Sequence, residues 1–280
     1  MKYIFFVLLL SCATLVHAQT PSCCIKPTGS GMMAMMTDAD FKAAHEPPVP
    51  FSFQSEKGSM VSFETLDGEK GQAYYVPSAE PTSKVLILFH EWWGLNDYIK
   101  KEAVRWQELL GNVDVYAIDL YDGKVATTSE EASKLSSGLD KTRTDNLIKG
   151  MLVKAGKDKL IATLGWCLGG SYAFRASVLA DVQAAGCVMY YGFPEKDTKR
   201  IKPLKTDILY NWASQDHFIT RPVVDSFQAA VLKTGRKFRM ETYDAVHAFA
   251  NPSNPKYDKE AAARAETVSI AFLKEKLQLE

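Results

Sequence analysis

"KLIATLGWCLGG", residues 159–170, decides the fold. Its first half is apolar on both faces, as in a strand buried inside a parallel sheet. Its second half sets Cys167 between Trp166 and a glycine pair, where the strand ends and the helix-like stretch "SYAFRASVLA" is about to begin. A structural cysteine is expected within the strand, where a small apolar side chain packs well. Glycine, any residue, nucleophile, any residue, glycine is instead the pattern of a turn too tight for side chains, with one side chain held out at its tip. The backbone N–H groups that follow point to where an oxyanion would form, and the helix N-terminus favours a thiolate. A buried cysteine in a glycine-rich turn is the alternative reading.

The flanking sequence repeats the strand theme. "KVLILFH" (84–90), "VDVYAID" (113–119), "AAGCVMYY" (184–191), "TDILYNW" (206–212) and "KFRMETY" (237–243) are short strand-like runs separated by longer amphipathic stretches. Ile99, Ala103, Trp106 and Leu110 recur at helical spacing behind an N-cap at Asn96 or Asp97. Tyr257, Ala261, Ala265, Val268 and Phe272 predict a last helix of the same period. Ahead of the first run, "MVSFETL" and "GQAYYV" flank Asp67-Gly68 and read as a hairpin, an antiparallel edge to the sheet. The pattern predicts one α/β domain over residues 58–280, a mostly parallel sheet with helices on both faces.

Of 280 residues, 33 are basic and 33 acidic, so no charge excess points to nucleic acid. "MKYIFFVLLLSCATLVHA" has Lys2, an apolar stretch and small residues at its end, the layout of a signal peptide cleaved after Ala18. Export to a periplasm or the exterior is the expectation, with no stable membrane insertion after cleavage. A lipoprotein signal ending at Cys12 fits less well, because apolar residues continue past it. Residues 19–57 lack a sustained period and read as a tail and linker. Cys23 and Cys24 with Met32, Met33, Met35 and Met36 gather soft ligands of the kind that bind Cu(I), but at no recognised metal spacing. Cys187 lies in an apolar run and reads as core.

In parallel sheets, ligands collect at the carboxyl ends of the strands. Three further places there carry chemistry. Asp216 in "WASQDHFIT" follows one strand, and His247 in "YDAVHAFANPS" follows the next. Either alone reads as a turn or cap residue. With Cys167 they form the order nucleophile, acid, histidine, each just after its own strand. Asp225 falls within the following helix and is a poor rival, and His217 diverges from Asp216. The remaining place is "HEWWGLN" (90–96), where the backbone N–H of Trp92, with that of Leu168, is a candidate oxyanion donor. Glu91 beside it is either a solvated surface group or a carboxylate that accepts the thiol proton or keeps the thiol neutral. Trp93, Tyr121, Phe249 and Asn251 are candidates for the pocket.

"HEWWGLN", "AIDLYDGK", "GWCLGG", "ASQDH" and "DAVHAF", in that order, resemble the dienelactone hydrolase family, the cysteine-nucleophile branch of the α/β hydrolases. The likeness extends over about residues 58–276. It implies the α/β-hydrolase fold and cleavage of enol-lactones or activated esters, a carboxylic ester hydrolase activity. It also implies Cys167 as nucleophile, His247 as base, Asp216 as its orienting partner and Glu91 as the carboxylate that controls the thiol. Family members acting on dienelactone hold its carboxylate with arginines. Here Asn251 stands where one is expected, and Lys124 is the sole cation in "LYDGKVATT".

The reading is a hydrolase that forms a thioester acyl-enzyme on a small lactone or activated ester, with no metal or organic cofactor. A general carboxylesterase or thioesterase with the same triad is one alternative. A redox-responsive or binding protein on the same fold is another.

Overall fold

The computed structural model describes Met1 and residues 32–280. The proposed signal peptide, Cys12, Ala18, Cys23 and Cys24 lie outside the described residues. Gly31–Glu280 forms one compact unit.

Its strands are β1 (Ser59–Glu64), β2 (Lys70–Val76), β3 (Lys84–Phe89), β4 (Asp114–Ile118), β5 (Leu160–Trp166), β6 (Ala184–Tyr190), β7 (Asp207–Ala213) and β8 (Phe238–Tyr243). They make an eight-stranded sheet in the order β1-β2-β4-β3-β5-β6-β7-β8. The hairpin β1–β2 is antiparallel and joins β4 antiparallel, while β3 to β8 all run parallel. The helices are α1 (Met32–Met36), α2 (Ala39–Ala44), α3 (Asp97–Leu110), α4 (Ser129–Ser137), α5 (Lys141–Ala155), α6 (Leu168–Leu179), α7 (Thr198–Ile201), α8 (Arg221–Leu232) and α9 (Lys259–Leu277). α3 packs with α9 over the sheet, and α5 packs with α6. None of the described helices is long and apolar enough to cross a membrane.

Local chemistry explains the boundaries. The Asn96 side chain accepts from the Ile99 N–H and starts α3, whose buried face is Ile99, Ala103, Val104, Trp106 and Leu110. The last helix corrects one detail. Asp258 caps α9, so Tyr257 lies outside it and is exposed, and the buried stripe runs through Ala261, Ala265, Ser269, Phe272, Leu273 and Leu277.

Residues 32–57 depart from the reading as a tail. α1 and α2 are each too short to display a period, yet Met36 and Phe41 are fully buried. Side chains distant in sequence tie the segment down. Ser133 Oγ donates to the Met36 carbonyl and Ser129 Oγ to that of His45, each at 2.7 Å, and the Phe53 N–H donates to Asp97 Oδ2 at 2.9 Å. Full burial of Phe41 contributes about 2–3 kcal/mol, which adds to these hydrogen bonds in holding the helix against α4 and the aromatic rings of Trp92 and Phe218.

Candidate active site

The turn after β5 is as tight as its glycines imply. Cys167 has φ 52° and ψ −117°, a strained conformation for a residue with a Cβ, and it immediately precedes α6. A Cβ on Gly165 would collide with the Gly169 carbonyl, and one on Gly169 with the carbonyl oxygens of Phe89 and His90. The glycines therefore let the elbow sit directly on the end of β3, just before the loop that carries Glu91.

Cys167 Sγ lies 3.2 Å from His247 Nε2, and His247 Nδ1 donates to Asp216 Oδ2 at 2.6 Å. The other Asp216 oxygen accepts from the backbone N–H groups of Phe218 and Ile219 at 2.8 and 2.9 Å. A thiol joined to an imidazole that a fixed carboxylate orients is the geometry of a nucleophilic triad. Burial is the largest influence on the thiol and raises its pKa, against the opposing pull of His247. Burial likewise works against protonation of His247, but Asp216 and Cys167 outweigh it and raise its pKa, which makes the imidazole a stronger base towards the thiol. Asp216 is lowered, the charge and hydrogen bond of His247 and the two amides overcoming its burial. The Leu168 N–H also works to lower the thiol, against its burial.

Glu91 is buried beside this group but bonds elsewhere. Tyr191 Oη donates to Glu91 Oε1 at 3.2 Å, and Asn251 Nδ2 donates to Oε2. Asn251 is itself held, its Oδ1 accepting from the Ser253 N–H and Oγ at 2.8 and 2.7 Å. Where an arginine was expected to face substrate, the chain thus has a residue that orients Glu91. Behind it, His90 Nδ1 donates to the Glu91 carbonyl at 2.5 Å, and its Nε2 accepts from the Leu120 N–H at 3.1 Å. Burial keeps that imidazole neutral.

Burial raises the Glu91 carboxyl from an ordinary 4.5 to about 7, against the pulls of His247, Tyr191 and Asn251. A raised carboxyl favours the fold while protonated, so its contribution is complete below pH 4.5 and lost as pH climbs through 7. Between pH 4.5 and 8 the wild type is expected to lose about 3 kcal/mol more stability than Glu91→Gln. Urea unfolding at the two pH values measures the difference, and equal losses would refute it.

Trp92 and Phe249 are fully buried, and Trp93 and Tyr121 nearly so. Tyr121 Oη donates to the Trp92 carbonyl at 3.0 Å, and the turn that presents it is closed by Asp119, which accepts from the Tyr121 and Gly123 N–H groups. Phe249 packs between Tyr191 and Tyr243, with ring centroids 5.3 and 5.1 Å away. Both side chains brace the site. Asp225 lies in α8 paired with Arg221, and His217 is exposed.

Three neighbours escaped sequence reasoning: Tyr191, Phe41 and His45. Tyr191 stands just past β6 at a strand end, which is signal enough to have found it. Phe41 and His45 arrive from α2, across the sequence. The Phe41 ring lies 5.2 Å from Trp92 and 5.7 Å from His247, and the His45 ring 4.7 and 5.2 Å from the same two. Together they cover the triad, and Cys167 is only 2% exposed. His45 Nδ1 donates to the Phe41 carbonyl at 2.7 Å, while Nε2 has no hydrogen-bond partner among the described residues. Burial, reinforced by His247, lowers this histidine to about 3, so it is neutral with its Nε2 lone pair free.

The sequence profile of the dienelactone hydrolase family matches residues 72–277. The chain belongs to the dienelactone hydrolase family. Protein Usf of Aquifex pyrophilus is 29% identical over 236 residues, covering 79% of this chain and 99% of that protein. A carboxymethylenebutenolidase of Pseudomonas putida is 27% identical over 232 residues, covering 76% and 94%. Among solved structures, a dienelactone hydrolase-like promiscuous phosphotriesterase from metagenomic libraries superposes with a TM-score of 0.68 at 18% identity, covering 79% of this chain and 99% of that one. The sheet and its flanking helices are those of the α/β-hydrolase fold. As a dienelactone hydrolase family member, the chain has its Cys167–His247–Asp216 cluster at the parallel strand ends, within the matched residues.

Proposed function

We propose that the protein hydrolyses a small lactone or activated ester through a thioester on Cys167. The observation that carries this reading is the continuous hydrogen-bonded chain from Cys167 Sγ through His247 to Asp216. Similarity to carboxymethylenebutenolidases supports the substrate class. His247 takes the thiol proton as the sulfur attacks the carbonyl carbon and the carbonyl π pair moves onto oxygen. The Leu168 and Trp92 N–H groups receive that oxyanion. The C–O bond then breaks, and His247 returns the proton to the leaving oxygen. In the second half, His247 removes a proton from water, the hydroxide attacks the thioester carbon and the C–S bond breaks, and His247 returns its proton to the Cys167 thiolate as the acid departs. Thiolate is a good leaving group, so an amide, with its poorer leaving group, would expel sulfur and revert. Lactones, aryl esters and thioesters are the matching substrates.

Glu91 acts in this scheme as a neutral-to-anionic neighbour whose charge sets the ease of thiolate formation. It bonds to Tyr191 and Asn251, so it tunes the thiol through space. With Asn251 occupied and aromatic rings of Trp92, Tyr191 and Phe41 around the triad, a neutral, apolar acyl group suits the site better than a carboxylate-bearing one.

The test is to trap the intermediate. Full-length protein quenched in acid during turnover of an aryl ester should carry the acyl mass on the Cys167 peptide, and His247→Gln should show no rapid acylation. Acyl mass on another residue, or none while hydrolysis proceeds, would refute the thioester route.

A further inference from the structure

His45 has no place in the hydrolytic scheme, yet its free lone pair lies at the centre of the site. His45, Cys167 and His247 each offer a ligand atom within 4.8 Å of the other two, and all three residues are buried. We propose that these side chains form a binding site for a thiophilic divalent cation, Zn²⁺ above all, in which His45 is the third protein ligand.

The geometry is close to what the ion needs. Tetrahedral Zn²⁺ with Zn–S of about 2.3 Å and Zn–N of about 2.0–2.1 Å requires ligand atoms about 3.3–3.6 Å apart. Cys167 Sγ and His247 Nε2 already stand 3.2 Å apart. His45 would have to move in by no more than about 1.5 Å to complete the set, and it caps the C-terminus of a six-residue helix. Three protein ligands leave the fourth position for water.

The surroundings are those of ligating histidines. Metal-bound imidazoles donate the second ring N–H to a carboxylate or a backbone carbonyl, which fixes the tautomer and aims the lone pair. His247 donates from Nδ1 to Asp216, and His45 donates from Nδ1 to the Phe41 carbonyl. Both Nε2 atoms thereby keep a lone pair for a cation, that of His247 facing the sulfur at 3.2 Å and that of His45 without a hydrogen-bond partner among the described residues. A buried nitrogen without a partner is costly, and coordination would satisfy the His45 atom. Two negative charges, a Cys167 thiolate and Asp216, balance the dication.

Binding releases the Cys167 S–H proton, and any proton carried on His247 Nε2, to solvent. One S–Zn and two N–Zn bonds form as three of the ion's waters leave, and no electron changes hands. The same event would remove both nucleophile and base, so the ion switches off the proposed hydrolysis. That consequence rests on the function proposed above, whereas binding does not.

Binding is therefore read without turnover, using Co²⁺ as a coloured stand-in for Zn²⁺. The full chain carries Cys12→Ser, Cys23→Ser and Cys24→Ser, so that the two remaining thiols are Cys167 and the buried Cys187. One equivalent of Co²⁺ should produce a thiolate-to-cobalt charge-transfer band that Zn²⁺ displaces and that is absent in Cys167→Ala. His45→Ala should weaken the affinity by about 10–100-fold or more, since even partners of ligands change it that much. Phe41→Leu, which loosens the same helix but removes no ligand, should change it by less than His45→Ala. No band, a band that survives Cys167→Ala, equal affinity in His45→Ala, or an equal loss in Phe41→Leu would each overturn the site. With binding intact, retained hydrolysis in the presence of saturating Zn²⁺ would instead count against the thioester mechanism.

Discussion

Cys167→Ala is expected to lower kcat on the best ester or lactone by about 10⁵-fold, leaving the residue that binding and oxyanion donors alone supply. The size of the loss follows from what the thiol does. It forms the covalent bond that splits one hard displacement into two easier ones, and no other nucleophile among the described residues lies on His247 Nε2. The fold should survive, because the side chain lost is small and the strained turn accepts alanine as it accepts cysteine, both bearing a Cβ at φ 52°. Initial rates on dienelactone, simple lactones, aryl esters and thioesters, with melting curves for both proteins, make the comparison. A folded variant that retained more than about one hundredth of the wild-type rate would show that the chemistry runs elsewhere.

Asp216→Asn is expected to cost about 10⁴-fold in kcat with KM little changed. One Asp216 oxygen serves the Phe218 and Ile219 amides, and an asparagine carbonyl can take over that duty. Its amide nitrogen must then face His247 Nδ1, and two N–H donors cannot bond to each other. The imidazole escapes by moving its proton to Nε2, where it can no longer accept from the Cys167 thiol. Geometry is kept and the tautomer is wrong. Steady-state kinetics with a matched far-UV spectrum decide the matter: a loss below tenfold, or one confined to KM, would mean that Asp216 merely holds its loop.

These results would also measure how far residue order alone reaches. Cys167, Asp216 and His247 were legible because each follows a strand in a fixed sequence, and parallel strands deliver their ends to one edge. The glycines around Cys167 announced a turn, and the doubly apolar runs announced a sheet covered on both faces. Glu91 was legible as a residue in the right loop, but its partners were not. Tyr191 meets it from the end of β6 and Asn251 from the loop after β8, and Asn251 had been noted as a pocket candidate in the place of an expected arginine.

What the sequence by itself determined is the fold, its family and the line of side chains from thiol to carboxylate. Short-range signals carry all of these: period, turn chemistry, and residue order at strand ends. Only the tertiary structure decided what lies over that line. α1 and α2 are shorter than the period that would reveal them, and their hold on the domain comes from Ser129, Ser133 and Asp97, far along the chain. Contacts of that kind leave no local pattern. They nonetheless bring Phe41 and His45 onto the triad, close the site from solvent, and set a second imidazole beside the sulfur.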